Sequence, residues 1–388
     1  MYAPDSPYRE RFRLTLEHRP VDRCPFDLGG TPQATIDEES TREALAQYLG
    51  FDGPALPEDE YFDRRISEAL DIDFRRVGRE LSFETGRRQQ ISATEFIDEW
   101  GSRFCFSGIY WERVAGPLWE ATLDQVAAYQ FPTAAQIPPG TLDDFARHAQ
   151  QLYQHSPYVV AACHPVFGVL ELACWLCGYD YLMLQLAADP EFIHLLFGKI
   201  LAYQKSIIRE YYRRLGPYLH LTTSGDDFGT QKGAFMSPAM FREFVIPYLR
   251  ERIAYTALFT DAVYMHHTCG AVFELIPDLI DVGVRVLNPI QPMADGMDPA
   301  RLKAAYGDQL VFHGGLDTQE VLPSNDPAGI DAAVEHLLAA MHPETDGGFI
   351  FAPAHNLQRD VSPASIARSY RTAREHFNAK ALSPRLLS

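Results

Sequence analysis

The sequence predicts an α/β fold, namely a (β/α)8 TIM barrel with a small β and loop segment inserted after its second strand. Short apolar strands alternate with helical stretches from residue 158 onward, and this rhythm is typical of a parallel sheet with right-handed crossovers. Two further strand candidates lie upstream and bring the number of predicted strands to eight. No glycine-rich phosphate loop follows any of these strands, which disfavours the doubly wound alternative.

Each predicted strand is a short, mainly apolar run with a polar exit. In chain order the strands span residues 24–28, 72–77, 158–162, 218–222, 262–267, 284–287, 310–313 and 348–351. The predicted helices between and after the later strands span residues 189–214, 237–257, 271–281, 298–306, 326–340 and 362 onward. Ser237 and Pro238 illustrate how such a helix begins, because they supply an N-cap and a first-turn proline.

The segment 80–132 interrupts this rhythm. It is rich in Phe, Trp and Tyr with frequent polar residues, a pattern that predicts short antiparallel strands and loops. Its place after the second strand makes it an insertion in the barrel. We therefore expect residues 1–388 to form one domain that includes this aromatic-rich segment.

The composition excludes several classes of protein. The chain has 34 basic and 52 acidic residues, a net charge of −18, which disfavours broad binding to a nucleic-acid backbone. The longest apolar stretch, residues 158–177, is interrupted by His164, Pro165 and Glu171, so no membrane span is expected. Six scattered cysteines and a charged amino terminus without an apolar core predict a cytoplasmic protein rather than a disulfide-rich secreted one.

The exit of the fifth predicted strand carries the most informative motif. His267 and Cys269 are two residues apart, so their side chains point the same way as the chain leaves the sheet. Imidazole and thiolate together form half of a site for a soft metal such as zinc. His355 follows the last strand, and because all strand exits of a barrel face one central space, it is a third candidate ligand. The alternative is a histidine at the barrel mouth beside a buried, inert thiol.

Two adjacent carboxylates, Asp226 and Asp227, follow the fourth predicted strand. Neighbouring residues at a strand exit point in opposite directions, so one of the two faces the mouth. That carboxylate is a candidate general acid or base, substrate contact or metal ligand. The alternative is a capping or turn cluster, which is how most aspartate-rich loops are used.

Other polar residues at or near strand exits are candidate substrate contacts. They are Asn288, Gln291, His164, His313, Asp73 and Gln231. For each of them a hydrogen-bonded structural role is an equally good interpretation. Cys174 and Cys177 have the spacing of a metal or redox pair, but they lie in an apolar helical stretch without a second pair and are interpreted as core.

Taken together, these motifs resemble the uroporphyrinogen decarboxylase superfamily, which includes zinc- and cobalamin-linked methyltransferases. The resemblance covers almost the whole chain. Its motifs are HRPVDRCP at residues 18–25, GDDFGTQ at 225–231, HTCG at 267–270, HGGLD at 313–317, and APAHN at 352–356 with VSP at 361–363. Membership of the superfamily implies the barrel fold.

The motifs also indicate a branch of this superfamily. The decarboxylases carry an arginine-rich RQAGR segment that grips the carboxylates of a tetrapyrrole, whereas residues 26–31 read FDLGGT and contain no arginine. The methyltransferase branch uses a histidine, a cysteine two residues later and a distant cysteine as zinc ligands. His267 and Cys269 match the pair, and His355 stands in place of the distant cysteine.

The resemblance therefore implies methyl transfer between a small methylated or methoxylated substrate and cobalamin. No corrinoid-binding DxHxxG segment is present, so the corrinoid would be carried by a partner protein. Zn²⁺ would be bound by His267, Cys269 and His355, with Asp226, Asp227 and His355 as catalytic residues. The alternatives are a related decarboxylase that acts on another carboxylated substrate, and a barrel that binds a ligand without catalysis.

Overall fold

Parallel strands form a curled sheet at the centre of the computed structural model, which describes residues 6–56, 61–108 and 111–382. The described strands are, in chain order, β1 (Phe74–Val77), β2 (Gln89–Ser92), β3 (Glu95–Ile97), β4 (Arg103–Phe106), β5 (Trp111–Ala115), β6 (Val159–Cys163), β7 (Leu221–Gly225), β8 (Val263–His267), β9 (Val286–Asn288), β10 (Val311–His313) and β11 (Phe349–Ile350). The central sheet has the order β1-β6-β7-β8-β9-β10-β11, and every neighbouring pair is parallel.

Residues 25–27 lie between the two edges of this sheet. The amide of Asp27 donates to the carbonyl of Phe351 at 2.9 Å, and the amide of Asp73 donates to the carbonyl of Phe26 at 2.9 Å. The predicted first strand, 24–28, is therefore reduced to a single bridge between Phe26 and Phe351. Proline at position 25 has no amide to donate, and Gly29 at φ +75° turns the chain away, so no longer ladder forms here. The protein thus has a TIM-barrel-like α/β fold.

Helices connect the strands and bury their apolar faces against the sheet and against each other. They are α1 (Pro7–Leu16), α2 (Glu39–Tyr48), α3 (Arg64–Ala69), α4 (Leu123–Ala128), α5 (Thr141–His155), α6 (Val169–Cys177), α7 (Tyr179–Ala188), α8 (Pro190–Leu215), α9 (Pro238–Met240), α10 (Ile246–Thr256), α11 (Ile276–Asp281), α12 (Pro299–Tyr306), α13 (Pro327–Met341), α14 (Pro343–Asp346) and α15 (Pro363–Leu382). The predicted helix over 237–257 is divided into α9, a π-helical turn (Phe241–Val245) and α10.

The segment after β1 contains a second, antiparallel sheet in the order β2-β3-β4-β5. It lies within residues 80–132, the segment that the sequence sets apart. The chain returns to the main fold beside α6, where the amide of Leu118 donates to the carbonyl of Leu176 at 2.9 Å. Cys174 and Cys177 are buried in α6, as core residues should be. No helix among the described residues is both long and apolar enough to cross a membrane.

The inner face of the central sheet changes from apolar to polar along the strands. Its lower layer is an apolar cluster that Phe12 of α1 joins, and it includes Met265, Val286 and Val311. Two residues further along the same strands come His267, Asn288 and His313, which share the inward direction. The polar side chains of the candidate site therefore collect at the carboxyl ends of the strands, above an apolar floor.

Asp73 is a correction to the sequence analysis, which placed it among the substrate contacts. It precedes β1 and so lies at the amino end of the sheet, where its side chain is fully buried. Arg11 and Arg23 donate to its two oxygens at 2.6 and 2.7 Å, and the amide of Phe26 donates to it at 2.8 Å. This carboxylate ties α1 and the first barrel segment to β1 and has no part in the site.

We expect Asp73→Asn to lower the free energy of unfolding by about 3 kcal/mol, because it leaves two buried guanidinium groups facing a neutral amide. Asp22→Asn is the matched control, since Asp22 also pairs with Arg11 but its side chain is 69% exposed. The control should lose less than about 1 kcal/mol. Urea unfolding measures both losses, and equal losses would show that the buried pairing contributes no more stability than the exposed one.

Candidate functional site

Three potential metal ligands meet at the carboxyl end of the sheet. His267 ends β8, Cys269 follows it, and His355 comes after β11. Each offers one ligand atom, and these atoms all lie within 4.8 Å of one another. The Nε2 of His267 is 3.4 Å from the Sγ of Cys269, and all three residues are half-buried. The fold thus brings together residues that are up to 88 positions apart (355 minus 267).

The protonation states of these donors are compatible with zinc. Nδ1 of His267 is hydrogen-bonded to Oδ1 of Asn288 at 2.5 Å, which leaves Nε2 without a proton and free to bind a metal. Burial lowers the pKa of His267, so the neutral imidazole is favoured. Burial and the charge of Asp227 raise the pKa of Cys269 to about 12 in the metal-free protein. A bound divalent cation deprotonates such a thiol, and a set of one sulfur and two nitrogen donors suits zinc.

A buried chain of hydrogen bonds supports His267 from behind. Asn288 accepts from His267 and donates through Nδ2 to Nδ1 of His313 at 2.7 Å. Nε2 of His313 then donates to Oδ2 of Asp27 at 2.9 Å. Asp27 also accepts from the hydroxyl of Thr31 at 2.6 Å and from the amide of Gly30 at 3.0 Å. We call this chain from His267 through Asn288 and His313 to Asp27 the relay. Each of its hydrogen bonds forms with only one placement of the protons, so the relay fixes the tautomers of both histidines.

The relay changes the interpretation of two predicted substrate contacts. Asn288 and His313 are fully buried, and the hydrogen bonds of the relay occupy their polar atoms. They orient a candidate ligand instead of facing a substrate. Sequence reasoning missed Asp27, although its place near the end of the predicted first strand, two residues before the first of two glycines, marks it as a strand-exit carboxylate.

The two adjacent carboxylates point in different directions, as their alternation predicts. Asp227 accepts from the amide of Cys269 at 2.8 Å, and its Oδ1 lies 3.7 Å from Nε2 of His267. Asp226 is 1% exposed and instead accepts from the first-turn amides of Leu170 and Glu171 in α6, at 3.2 and 2.7 Å. Asp227 is therefore the carboxylate beside the candidate ligands, and Asp226 caps a helix.

Glu171 is a titratable residue at this site that the sequence analysis did not select. It lies in the first turn of α6, and its amide donates to Asp226. Burial, together with the charges of Asp226 and Asp227, raises the pKa of Glu171 to about 8. The charge of Glu171 also contributes to the raised pKa of Cys269, which places it near the candidate ligands. The signal in the sequence was its position as the single acidic residue within the apolar stretch 158–177.

The remaining predicted contacts are divided between the rim and the interior. Gln291 accepts from the amide of Gly270 at 2.8 Å and from Gln231 at 3.2 Å, so these glutamines hold the loop that carries Cys269.

His164 was predicted as a substrate contact, and the structure corrects this prediction, because His164 is buried and both of its ring nitrogens have partners. Its Nδ1 lies 3.1 Å from the carbonyl of Val166, and its Nε2 lies 3.4 Å from the hydroxyl of Thr256.

Comparison with known proteins supports both the fold and the family. A methyltransferase from Methanosarcina mazei is similar in structure, with a TM-score of 0.67 at 14% identity, over 96% of this chain and 99% of that chain. A B12-independent methionine synthase from Shewanella sp. W3-18-1 has a TM-score of 0.39 at 11% identity, over 63% of this chain and 67% of that chain. No curated protein sequence matches the chain. The family model described as uroporphyrinogen decarboxylase (URO-D) matches residues 111–376. This match covers more than half of the chain and confirms the predicted superfamily: the protein belongs to the uroporphyrinogen decarboxylase family.

Proposed function

We propose that this protein is a zinc-dependent methyltransferase that moves a methyl group between a small methylated or methoxylated substrate and the corrinoid of a partner protein. The observation that carries the proposal is the convergence of His267, Cys269 and His355 at the mouth of the barrel. The likeness to a solved structure titled as a methyltransferase, at 96% coverage of this chain, supports it.

Each residue near the candidate ligands would have a distinct role in such a site. His267, Cys269 and His355 would hold the zinc, and Asp227, whose side chain is 39% exposed, would complete the site or orient the substrate. When bound, zinc supplies a Lewis acid that polarises the methyl-bearing group. The relay through Asn288 keeps the lone pair of His267 Nε2 directed at the ligand cluster.

Glu171 would supply the proton. A carboxyl group with a pKa near 8 holds its proton at neutral pH and can donate it to a leaving oxygen or nitrogen. For a methoxy substrate, the partner's corrinoid would supply the electron pair that binds the methyl group. The electron pair of the broken C–O bond would stay on the oxygen, and Glu171 would donate its proton to that oxygen. Asp226 would position Glu171 through the hydrogen bond at the start of α6.

Decarboxylation of a tetrapyrrole is the competing function within the family. Its recognition segment is replaced here by residues 26–31, which contain no arginine. In the structure Asp27 occupies this segment, and its carboxylate is buried against His313 and Thr31. A buried carboxylate at this place cannot bind an anionic substrate, so methyl transfer is the function we favour.

The direct test is transfer of a methyl group to reduced cobalamin by the zinc-loaded protein. Methoxylated aromatics, methylamines and methylated thiols serve as donors, and the visible absorbance of cobalamin reports the reaction. We expect turnover with at least one donor, loss of turnover on chelation, and recovery on addition of zinc. Absence of turnover with every donor, combined with CO₂ release from carboxylated pyrroles, would instead establish the decarboxylase.

Asn288→Ala is expected to weaken zinc binding by about 10- to 100-fold, because it removes the group that fixes the tautomer of His267. Competition with a chromophoric chelator measures this affinity. Gln231→Ala is the control, since Gln231 is an exposed amide at the rim, and its affinity for zinc should equal that of the wild type. If the folded Asn288→Ala protein binds zinc as tightly as the wild type, the relay does not support the metal site.

A further inference from the structure

A second cavity lies away from the barrel mouth, between β1 and the helices α3 and α5. It has a volume of about 460 Å³, which is in the range of small-molecule sites. Its walls include Arg75 and Arg76 of β1, Tyr61, Glu68, His148 and Tyr158. None of the candidate metal ligands lines it. We call it the basic cavity, after Arg75 and Arg76.

Arg75 and Arg76 each have a buried nitrogen without a partner among the described residues. Arg75 donates from Nη1 to the carbonyls of Ile72 and Phe74, at 3.0 and 2.7 Å, but its Nη2 is buried and unpaired. Nε of Arg76 is likewise buried and unpaired. Buried donors of this kind are rare in folded proteins because each costs free energy unless something accepts its proton.

The charges around these donors are not balanced. Arg75 and Arg76 are permanently charged, and no carboxylate of the described residues lies within 4.0 Å of either guanidinium. Among the described residues of the wall, Glu68 is the one acidic residue, whereas Arg64, Arg75 and Arg76 are cations, so positive charge exceeds negative charge there. Burial lowers the pKa of Arg75, because the buried guanidinium group is poorly solvated by water. In a chain of net charge −18, such a concentration of unpaired positive charge points to an anionic ligand.

Aromatic rings complete the basic cavity. The guanidinium carbon of Arg75 lies 3.5 Å from the centre of the Tyr158 ring, which holds the cation in place. The guanidinium carbon of Arg76 is 5.2 Å from the centre of the Tyr61 ring, and Tyr61 stacks on His148 at 6.0 Å with an interplanar angle of 14°. A flat ligand can therefore contact a ring while its acidic group reaches an arginine.

We propose that the basic cavity binds a small aromatic anion, whose carboxylate or phosphate group accepts hydrogen bonds from Arg75 and Arg76 and whose ring packs beside Tyr61. Guanidinium groups favour both kinds of acid because their donors match the spacing of the oxygens. This site is separate from the barrel mouth, and it does not depend on the proposed methyl transfer.

Titration calorimetry of the full-length protein tests the proposal with benzoate, phenyl phosphate and the neutral analogue benzamide. We expect at least one of the anions to bind with a Kd of about 1 mM or tighter, and benzamide to give no heat. The better of the two anions identifies the acid. The double variant Arg75→Met, Arg76→Met should weaken binding at least about tenfold. Arg147→Met is the control, since Arg147 lies on α5 outside the cavity and is 72% exposed.

Two further variants keep the test decisive if the double variant fails to fold. Glu68→Gln changes an exposed side chain and removes the negative charge from the wall, so it should tighten anion binding about threefold. His267→Ala at the barrel mouth should leave anion binding unchanged. No binding of either anion at about 10 mM overturns the proposal, and so does a loss of binding in His267→Ala together with no change in Glu68→Gln.

Discussion

Cys269→Ala is expected to weaken zinc binding by at least about a hundredfold and to abolish methyl transfer, with the fold intact. Cys269 supplies the only sulfur in a cluster whose other donors are the imidazoles of His267 and His355. Thiolate is the softest and most strongly bound of the three donors, and its loss leaves two histidines beside the Asp227 carboxylate, a donor set that binds zinc more weakly. The wild type should contain about one zinc ion per chain, and the variant only a trace.

Metal analysis after gel filtration measures the zinc content, and circular dichroism reports the fold. Cys105→Ala is the matched control, because Cys105 is a free cysteine of β4 in the small antiparallel sheet. It should retain both zinc and activity. Wild-type zinc content in Cys269→Ala, or no zinc in the wild type after growth in zinc, would show that His267, Cys269 and His355 do not form a metal site.

Much of the fold could be predicted because local pattern and topology agree. The strands from β6 onward are short apolar runs between capped helices, so both their number and their parallel arrangement follow from the sequence. The alternation of side chains along a strand also places His267 inward, two residues after the buried Met265. The first barrel segment could not be predicted at this level, because its pairing depends on how Gly29 turns the chain.

The candidate site was predictable only in part, for a similar reason. Motifs at strand exits identify potential ligands, but the partners of those ligands come from distant segments. His313 meets Asp27 across 286 positions, and Glu171 meets Asp226 across 55. Burial also decides the role of a residue at a strand exit. Asn288 and His313 are buried, so they hold His267 in place and do not face a substrate. The raised pKa of Glu171 could not be predicted from the sequence, because it is caused by burial and by two carboxylates that only the fold brings near.

Glu171→Gln should lower kcat by about a thousandfold at pH 7, because the amide keeps the shape of the protonated acid but has no acidic proton to transfer. The pKa of Glu171 is raised from 4.5 to about 8, so the wild type holds the proton below pH 8 and loses it as the pH rises through 8. Wild-type activity should therefore fall with increasing pH near 8, whereas the residual activity of the variant should not show this step. Stopped-flow assays across pH 6 to 9 measure both profiles.

The stability of the same variant separates catalysis from a structural role. A carboxyl group whose pKa is raised on folding stabilises the protein fully below the unfolded value near 4.5, and this contribution is lost as the pH rises through about 8. Glu171→Gln removes that loss, so the variant should unfold at higher urea concentration than the wild type at pH 9, by a smaller margin at pH 6, and at a similar concentration at pH 4. Asp180→Asn changes an exposed carboxylate of α7 and should alter neither profile. A variant that keeps full activity at pH 7 while showing this stability pattern would mean that Glu171 is a buried acid without a catalytic role, and that the proton comes from another group at the mouth.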